Sequence, residues 1–479
     1  MQKYFYRFRS TSNLLERNEL IDQCIYFAHP EELNDPMEGY RDIYWKGDKV
    51  TWNNFFRHYL LCLEHVCSLW SIGGEKHCEI SDKNIPIFIS YDDLPTQDYK
   101  NLFDDISTQF FINFSNLIDK FCSRTTPVRR NELLFFLFSI HFNAIDIIFE
   151  TYSKHGLSKK RDYIPYNISS FTKLLCTVTD IIELGIKSGE IKNDTDIIFE
   201  IVNSVKNDMV FANRITGAIP QEFKNKNIVF FDFPSAYIKQ LEKLIYPQWY
   251  AACFMTECES SSVWGHYGNG HNGVCLIFEP DNNNDCFEMK LHGKIGWGGN
   301  GPIYGDQNHK FYKIEYGSGF VEIDFFRSIG RLPIPKLISN WYTDKNGIKS
   351  KIVDLIFKNE KEWRQSYWDN FLKSIMIKTM DWKYENEYRL ILNGLLENEI
   401  DKTDRILKYD FRFLKGIIFG INTTMEDKLK IIAILNNKCI ENNRKDFELY
   451  QAYYSPNDKK IKRKKISFTN LGMPFNQKT

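Results

Sequence analysis

Near the C-terminal end of the chain the sequence reads Trp382-Lys383-Tyr384-Glu385-Asn386-Glu387-Tyr388-Arg389-Leu390-Ile391-Leu392. The alternation predicts a β-strand, because successive side chains of a strand point to opposite faces of a sheet. Glu385, Glu387 and Arg389 would then share one face, and the apolar run after them places the strand in a sheet. Two carboxylates and a guanidinium on such a face are costly unless they pair or serve a site. The alternative is a half-exposed strand with an ordinary ladder of ion pairs.

A second strand is predicted at the opposite end of the chain, in Tyr4-Phe5-Tyr6-Arg7-Phe8-Arg9. Arg7 and Arg9 share one face of this strand with Phe5. An arginine on the inner face of a terminal strand is unusual unless it binds a carboxylate or a phosphate. His29-Pro30 and Asn34-Asp35-Pro36 follow after a short second strand. The alternative for Arg9 is an ion pair with a structural glutamate.

A third constellation is Val263-Trp264-Gly265-His266-Tyr267-Gly268-Asn269-Gly270-His271-Asn272-Gly273, which we interpret as a loop. Its histidines are candidates for an acid, a base or a ligand. The alternative is that Trp264 and Tyr267 pack inward while His266 makes only local hydrogen bonds. We predict that Arg9, His266 and Glu387 lie in one cleft, because catalytic groups must reach one substrate.

Between the β-type ends lies a helical block. Apolar residues recur at helical spacing over residues 55–72, 103–121, 132–151, 171–187 and 196–211. We therefore predict an α+β protein with a mixed or antiparallel sheet core, built from N- and C-terminal segments around a large all-α insertion. The predicted division is 1–50 and 221–455 for the core, 51–220 for the insertion and 456–479 for a basic strand or tail.

Smaller features complete the prediction. Residues 227–231 are expected to form a strand, and the glycine-rich residues 293–305 a flexible loop near the site. That loop lacks the Gly-Lys-Ser/Thr ending of a phosphate loop. His58, Cys62 and His65 share a helix face, with Cys67, His77 and Cys78 nearby, but their spacing matches no standard zinc site. A buried helix face is the simpler interpretation, so no metal is expected.

Composition favours a soluble, cytoplasmic protein. The 62 basic and 62 acidic residues cancel, which argues against an overall field that attracts DNA or an anionic membrane. The 11 cysteines are scattered, as expected of reduced thiols in the cytosol. The N-terminus has no signal-peptide core. The most lipid-like stretch, residues 133–149, is interrupted by polar residues and falls short of the roughly 20 apolar residues of a spanning helix.

Taken in order, these segments resemble a bacterial family known only as domain of unknown function 2971, DUF2971. The resemblance is carried by Tyr6-Arg7-Phe8-Arg9-Ser10, by Ala252-Cys253-Phe254, by Trp264-Gly265-His266-Tyr267 with Gly273-Val274-Cys275-Leu276, and by the stretch from Trp382 to Arg389. It covers about residues 1–45 and 225–450. One departure is Ala28-His29, where the family usually carries serines. The family name implies no activity.

The motif order is also similar, more distantly, to ADP-ribosyltransferases of the Arg-Ser-Glu type. This similarity implies that Arg9 holds the pyrophosphate of NAD, that His29 stands where a serine is expected, and that Glu387 is the catalytic carboxylate. Glu385 would lie nearer the acceptor. His266 is the third catalytic candidate. The remaining candidates for binding the dinucleotide are Arg7, Arg389 and the rings of Trp264, Tyr267 and Trp382, which could stack on nicotinamide.

The leading hypothesis is therefore an NAD-consuming enzyme, either an ADP-ribosyltransferase or an NAD glycohydrolase, with NAD as substrate. Such a protein fits a bacterial toxin or an antiviral (anti-phage) defence effector, whose helical insertion senses a signal, binds a partner or self-associates. The acceptor of a transfer could be a protein or a nucleic acid. One alternative is a nuclease or phosphodiesterase using His266, His271 and Glu385/Glu387. Another is a non-catalytic module that binds a nucleotide or a protein.

Overall fold

The computed structural model describes residues 3–75, 79–158, 168–189, 196–217, 224–283, 286–394, 400–467 and 471–472. The chain divides into two compact units. The first, a β-rich unit, contains residues 1–40, 248–320 and 372–479; the second, a helical unit, contains residues 41–247 and 321–371. Both units are therefore built from segments that are distant in the sequence. The protein is α+β, as predicted.

An eight-stranded sheet forms the centre of the β-rich unit. Its strands lie in the order Tyr312–Lys313, Glu387–Asn393, Trp249–Met255, Phe5–Arg9, Val274–Phe278, Leu414–Phe419, Glu448–Ser455 and Lys460–Lys465. All neighbours pair antiparallel except Leu414–Phe419 with Glu448–Ser455, which are parallel. The terminal strand Phe5–Arg9 thus lies in the middle of the sheet, and the basic segment 460–465 is an edge strand.

Smaller sheets flank this one within the same unit. One contains Cys24–Tyr26, Ile406–Tyr409, Cys286–Gly298, Asp281–Asn283 and Gly301–Lys310. Another pairs Glu315–Tyr316 with Ile377–Lys378 in parallel. The predicted glycine-rich loop is wrong, because Cys286–Gly298 and Gly301–Lys310 form one long hairpin. Glycines within strands often mark an irregularity, and the register of this hairpin shifts between Lys294 and Gly296.

Each face of the central sheet carries its own apolar layer. Phe5, Phe254, Phe278 and Leu390 contribute to one layer, together with buried residues of the flanking sheet. Tyr6, Phe8, Met255, Ile277 and Ile418 contribute to the other. The alternation of side chains along Phe5–Arg9 therefore feeds both layers. Helices of this unit are Thr11–Leu15, Ser261–Tyr267 and Met425–Glu441, with 3-10 turns at Pro30–Glu32, Met380–Glu385 and Phe411–Phe413.

The helical unit is built around long helices whose apolar faces carry aromatic residues. Its helices are Lys49–Gly73, Gln97–Ser123, Arg130–Lys154, Ile168–Ser188, Asp196–Ile215, Lys224–Asn227, Phe233–Ile245, Phe325–Ser328, Ile334–Trp341 and Lys351–Phe357; Glu360–Ile375 runs into the β-rich unit. Its strands Val321–Asp324, Arg41–Trp45 and Val128–Arg129 form a small sheet. Short 3-10 turns occupy Asp82–Asn84 and Tyr91–Asp93. The first long helix begins where the Asp48 side chain accepts a hydrogen bond from the Thr51 N–H.

Two predictions in this unit have clear outcomes. Residues 227–231 are not a strand, because they continue a helical path through the π-helical segment Ile228–Asp232. The apolar helix Arg130–Lys154 is, among the described residues, the one long and apolar enough to cross a membrane, and 67% of its most apolar window is buried inside the protein. It therefore has the packing of a core helix.

Candidate functional site

A cleft opens in the central sheet where two neighbouring strands separate. Strands Phe5–Arg9 and Trp249–Met255 pair at Tyr6 and Met255, the one register pair between them. Further along, Ala251 instead forms a bridge with Ala28. Side chains of the two separated strands therefore face a shared space of about 360 Å³, within the range of small-molecule sites.

The cleft wall carries more basic than acidic side chains. Arg7, Arg9, His266 and Lys378 line it, and Glu32 is the one carboxylate among its described lining residues. The remaining lining residues are neutral: Phe8, Ser10, Asn13, Tyr26, Ala28, Leu33, Asn34, Ala251, Cys253, Met255, Tyr267 and Asn269. This balance of charges favours an anionic ligand.

Arg9 forms an ion pair with Glu19. Its Nε donates to Glu19 Oε2 at 2.8 Å, and a second guanidinium nitrogen contacts the other carboxylate oxygen. This is the ion pair with a structural glutamate that the sequence left open as an alternative for Arg9. Glu19 itself is buried, so the pair neutralises Arg9 at the edge of the cleft.

Arg7 is the less satisfied cation. Its Nη2 donates to the Tyr26 carbonyl at 3.0 Å, and its guanidinium lies 5.3 Å from the centre of the Phe254 ring. Nη1 is buried and has no hydrogen-bond partner within the described part of the chain. Burial, followed by repulsion from Arg9, lowers the pKa of Arg7 to about 10, so it stays charged at neutral pH. A buried guanidinium nitrogen without a partner costs free energy that an anionic ligand would offset.

Behind the cleft lies a buried ion network, whose central members are Glu38, Lys378, Glu385, Glu387 and Arg389. Arg389 donates to Glu387 Oε1 at 2.7 Å and to Glu38 Oε2 at 2.8 Å. Lys378 Nζ lies 2.7 Å from Glu385 Oε2 and 2.8 Å from Glu387 Oε2. We call these five residues the acidic network, because three carboxylates face two cations.

The two sequence-predicted glutamates have different electrostatic environments. Burial alone would raise the pKa of Glu387. The cations Arg389 and Lys378 lower it by more than burial raises it, so the pKa of Glu387 lies well below the ordinary value. Burial raises the pKa of Glu385, and Lys378 offsets this only in part. Of these two glutamates, Glu387 is therefore firmly ionised, whereas the charge of Glu385 is easier to change.

Glu385 does not lie on the predicted strand. Residues Met380–Glu385 form a 3-10 turn, Asn386 adopts a left-handed conformation with φ of 44°, and the strand begins only at Glu387. The prediction that Glu385, Glu387 and Arg389 alternate along one strand is wrong for Glu385. The turn nevertheless directs the Glu385 carboxylate to Lys378, which also contacts Glu387, so the two carboxylates share one cation.

His266 and Tyr267 connect the cleft to this turn. Tyr267 lines the cleft, and its hydroxyl donates to Glu385 Oε1. His266 Nδ1 lies 3.0 Å from the Tyr384 hydroxyl. Both residues belong to the short helix Ser261–Tyr267, so the predicted loop is wrong at this point. The helix begins at Ser260, whose hydroxyl accepts from the Val263 N–H.

The structure brings together only part of the predicted constellation. Arg9 and His266 line the same cleft, but Glu387 does not; it borders a separate depression with Thr256, Lys313 and Tyr316. The prediction that all three line one cleft is therefore wrong for Glu387. Arg389 and Lys378 hold its carboxylate in the interior, and Lys378 stands between it and the cleft.

Three other candidates lie away from the predicted roles. Trp264 is fully buried, donates from its indole N–H to the Cys258 carbonyl at 2.8 Å, and packs against Phe8, so it cannot stack on a ligand as expected. His29 caps the turn Pro30–Glu32 through Nδ1 and is absent from the cleft lining, where Ala28 stands. Trp382 is also absent from the cleft lining, and the Lys378 ammonium lies 5.2 Å from the centre of its ring.

The helical histidines behave as core residues. His58 Nδ1 lies 2.9 Å from the Tyr237 hydroxyl and Nε2 lies 3.0 Å from the Ile87 carbonyl oxygen. Both ring nitrogens are thus engaged within a buried helix face. No cluster of three metal-ligating side chains occurs among the residues that the structure describes. His77 and Cys78 of the proposed cluster lie outside those residues.

Sequence reasoning missed Glu38 and Lys378. The signal for Lys378 was a lone lysine directly after the apolar run Ile375-Met376-Ile377, because a buried lysine is almost always paired. Glu38 gave less warning, since it follows the turn Asn34-Asp35-Pro36-Met37 in a segment that reads as surface. Its burial could be recognised only from the fold.

Comparison with known proteins supports the family resemblance over part of the chain. Residues 263–390 match the family model described as "Protein of unknown function (DUF2971)". This stretch contains His266, Tyr267, Lys378, Glu385 and Glu387. No curated protein matches the chain. No solved structure matches it either.

Proposed function

We propose that this protein consumes NAD at the cleft between strands Phe5–Arg9 and Trp249–Met255, as an ADP-ribosyltransferase or an NAD glycohydrolase. The observation that carries the proposal is Arg7, a buried cation on the cleft wall with an unpartnered guanidinium nitrogen. A pyrophosphate oxygen is a strong acceptor for such a nitrogen. Arg7 therefore takes the anchoring role that motif order alone assigned to Arg9.

Lys378 would be the second contact for the substrate. Its ammonium is held by Glu385 and Glu387 on one side, while the residue lines the cleft on the other. Burial lowers its pKa, but the neighbouring carboxylates raise it above the ordinary value, so the charge persists. A ribose hydroxyl or a phosphate oxygen at this wall would accept a hydrogen bond from it.

The proposed reaction breaks the bond between C1′ of the ribose and the nicotinamide nitrogen. The bonding electron pair leaves with nicotinamide, so positive charge develops on the ribose ring, as in glycoside hydrolysis. Three carboxylates against two cations give the acidic network an excess of negative charge when all are ionised. Such preorganised charge is worth roughly 3–4 kcal/mol when it is well placed.

The last step requires a nucleophile at C1′. Water, or a hydroxyl or other group of an acceptor, adds its oxygen or nitrogen to that carbon and loses one proton. His266 lies on the cleft wall and is the proposed general base for that proton. Tyr267 holds Glu385 from the same short helix, so we assign it a positioning role.

An enzyme of this kind would act in the cytoplasm as a toxin or an antiviral effector, because loss of NAD stops metabolism in the cell that contains it. The helical unit would then receive the signal or the partner that controls it. These assignments extend the NAD proposal and depend on it.

A non-catalytic nucleotide-binding role is the second candidate. It is favoured by the acidic network itself, since Glu385 and Glu387 are buried and both are already bound by cations. In that case the network only fixes the cleft wall, and Arg7 binds an anionic ligand that stays intact.

The experiment is to incubate the purified chain with NAD, with and without cell extract, and to follow free nicotinamide by chromatography. We expect nicotinamide release by the wild type and a loss of about 10–100-fold in Glu387→Gln, because the Glu387 carboxylate positions Lys378 at the cleft wall. Glu279→Gln is the control, because Glu279 forms ion pairs with Lys3 and Lys415 away from the cleft. NAD binding without nicotinamide release, with or without extract, would instead support the non-catalytic role.

A further inference from the structure

The helix Asp196–Ile215 of the helical unit exposes an unusually apolar face. Eight large apolar side chains on it are between 41% and 69% exposed: Ile197, Ile198, Ile201, Val202, Val205, Met209, Phe211 and Ile215. Soluble proteins expose single apolar residues freely, but a contiguous group of this size usually marks an interaction surface.

The opposite face of this helix is already occupied. Phe199 lies 5.2 Å from Phe135 between ring centres, and Asn203 Nδ2 donates to the Asn131 carbonyl oxygen at 3.0 Å. Both contacts are made with the helix Arg130–Lys154. One side of the helix thus packs on its own unit, and the exposed face points away from that contact.

The spacing of the exposed residues indicates what covers them. Ile198, Val202, Val205 and Met209 follow one another at intervals of four, three and four residues. This is the alternating spacing of a coiled-coil seam, in which side chains of one helix insert between those of another. We call these four residues the exposed seam. The preferred partner of the exposed seam is therefore another helix with the same repeat.

We infer that the exposed seam joins two copies of this chain into a symmetric homodimer. A second copy supplies the matching repeat by symmetry, since both sides of a two-fold interface are the same surface. The exposed seam itself contains no charged side chain, and the nearby Lys206 and Asp208 fall at the flanking positions of the repeat, where charged side chains are common in coiled coils. The eight side chains together offer several hundred Å², the same order as the roughly 800 Å² per partner of a stable interface.

No residue of the cleft belongs to the exposed seam, so the dimer does not depend on NAD binding or cleavage. Light scattering after size-exclusion chromatography measures the molar mass of the full chain in solution at micromolar concentration. We expect a mass of twice 56.8 kDa for the wild type. Val205→Asp should weaken the dimer at least about 100-fold, because each dimer would bury two unpaired carboxylates.

Ile112→Asp is the matched control, because Ile112 is 68% exposed on another helix of the same unit. It should leave the dimer intact. A mixture of Val205→Asp and Val202→Lys chains, each monomeric alone, should recover a dimer, which a merely misfolded variant could not do. A wild type of single-chain mass, or a Val205→Asp chain that stays dimeric, would overturn the inference.

Discussion

Arg389 binds Glu38 across 351 residues of sequence, with both guanidinium Nη nitrogens directed at the two carboxylate oxygens. The side chains of both residues are at most 1% exposed. The pair therefore joins an early turn to a late strand inside the β-rich unit. Both charges are desolvated, so the Glu38 carboxylate needs a cation beside it, and the Arg389 guanidinium that supplies it also binds Glu387.

We predict that Glu38→Gln destabilises the chain strongly. The substitution weakens the two charge-assisted hydrogen bonds that the buried Arg389 guanidinium makes to Glu38, while Arg389 keeps its ion pair with Glu387; hydrogen bonds to charged groups contribute about 1.5–3 kcal/mol. Urea unfolding followed by tryptophan fluorescence measures the change. Asp281→Asn is the control, because Asp281 pairs with Arg412 at the surface and should cost no more than about 1 kcal/mol. Equal effects of the two substitutions would contradict the buried pair.

Acidification should change the contributions of Glu387 and Glu385 to stability in opposite directions. The folded-state pKa of Glu387 lies below its ordinary value of 4.5, so its contribution to stability is present above pH 4.5 and is lost as pH falls. The stability difference between wild type and Glu387→Gln should therefore shrink on acidification below about pH 4.5.

Glu385 provides the matched comparison for this pH dependence. Burial raises its folded-state pKa above 4.5, so ionisation costs stability as pH rises through that value. Relative to Glu385→Gln, the wild type should lose stability as pH rises above 4.5. Urea unfolding at several pH values measures both trends. The same sign of pH dependence for the two variants would contradict the assignment.

Tyr267→Phe tests whether the contact with Glu385 positions the reacting groups. The ring remains, so the cleft keeps its shape, but the hydroxyl that donates to Glu385 is removed. We expect kcat for nicotinamide release to fall about 10–100-fold, with little change in KM, because a contact that acts in the transition state is lost. Tyr453→Phe, at an exposed position, should change neither constant. An increase in KM alone would assign Tyr267 to substrate binding.

The overall architecture could be predicted because periodicity is a local signal. The five helical segments between residues 55 and 211 appear as helices, and the sheet uses segments from both ends of the chain. Local signals failed where tertiary context decides the conformation. The apolar residues 227–231 resemble a strand, yet Val229 is buried within a helical path, and its carbonyl oxygen accepts from the His141 ring.

The candidate site was only partly predictable for a related reason. Arg7, Arg9, His266 and Tyr267 were identified as site residues, and all four line the cleft. The position of Glu387 was not predicted, because Lys378 and Arg389 decide where its side chain points. No spacing in the sequence indicates which carboxylate these two cations bind. Charge pairing among distant residues is a property of the assembled fold.

The most direct test of the account is calorimetric titration of NAD onto wild-type protein and Arg7→Met. Loss of a charge-assisted contact with the pyrophosphate should weaken binding at least about 10-fold. Arg444→Met is the control, because Arg444 donates to two backbone carbonyls in the same unit and does not line the cleft. Its affinity should match that of the wild type. Failure of the wild type to bind NAD, or equal affinity in Arg7→Met, would contradict the assignment of the cleft.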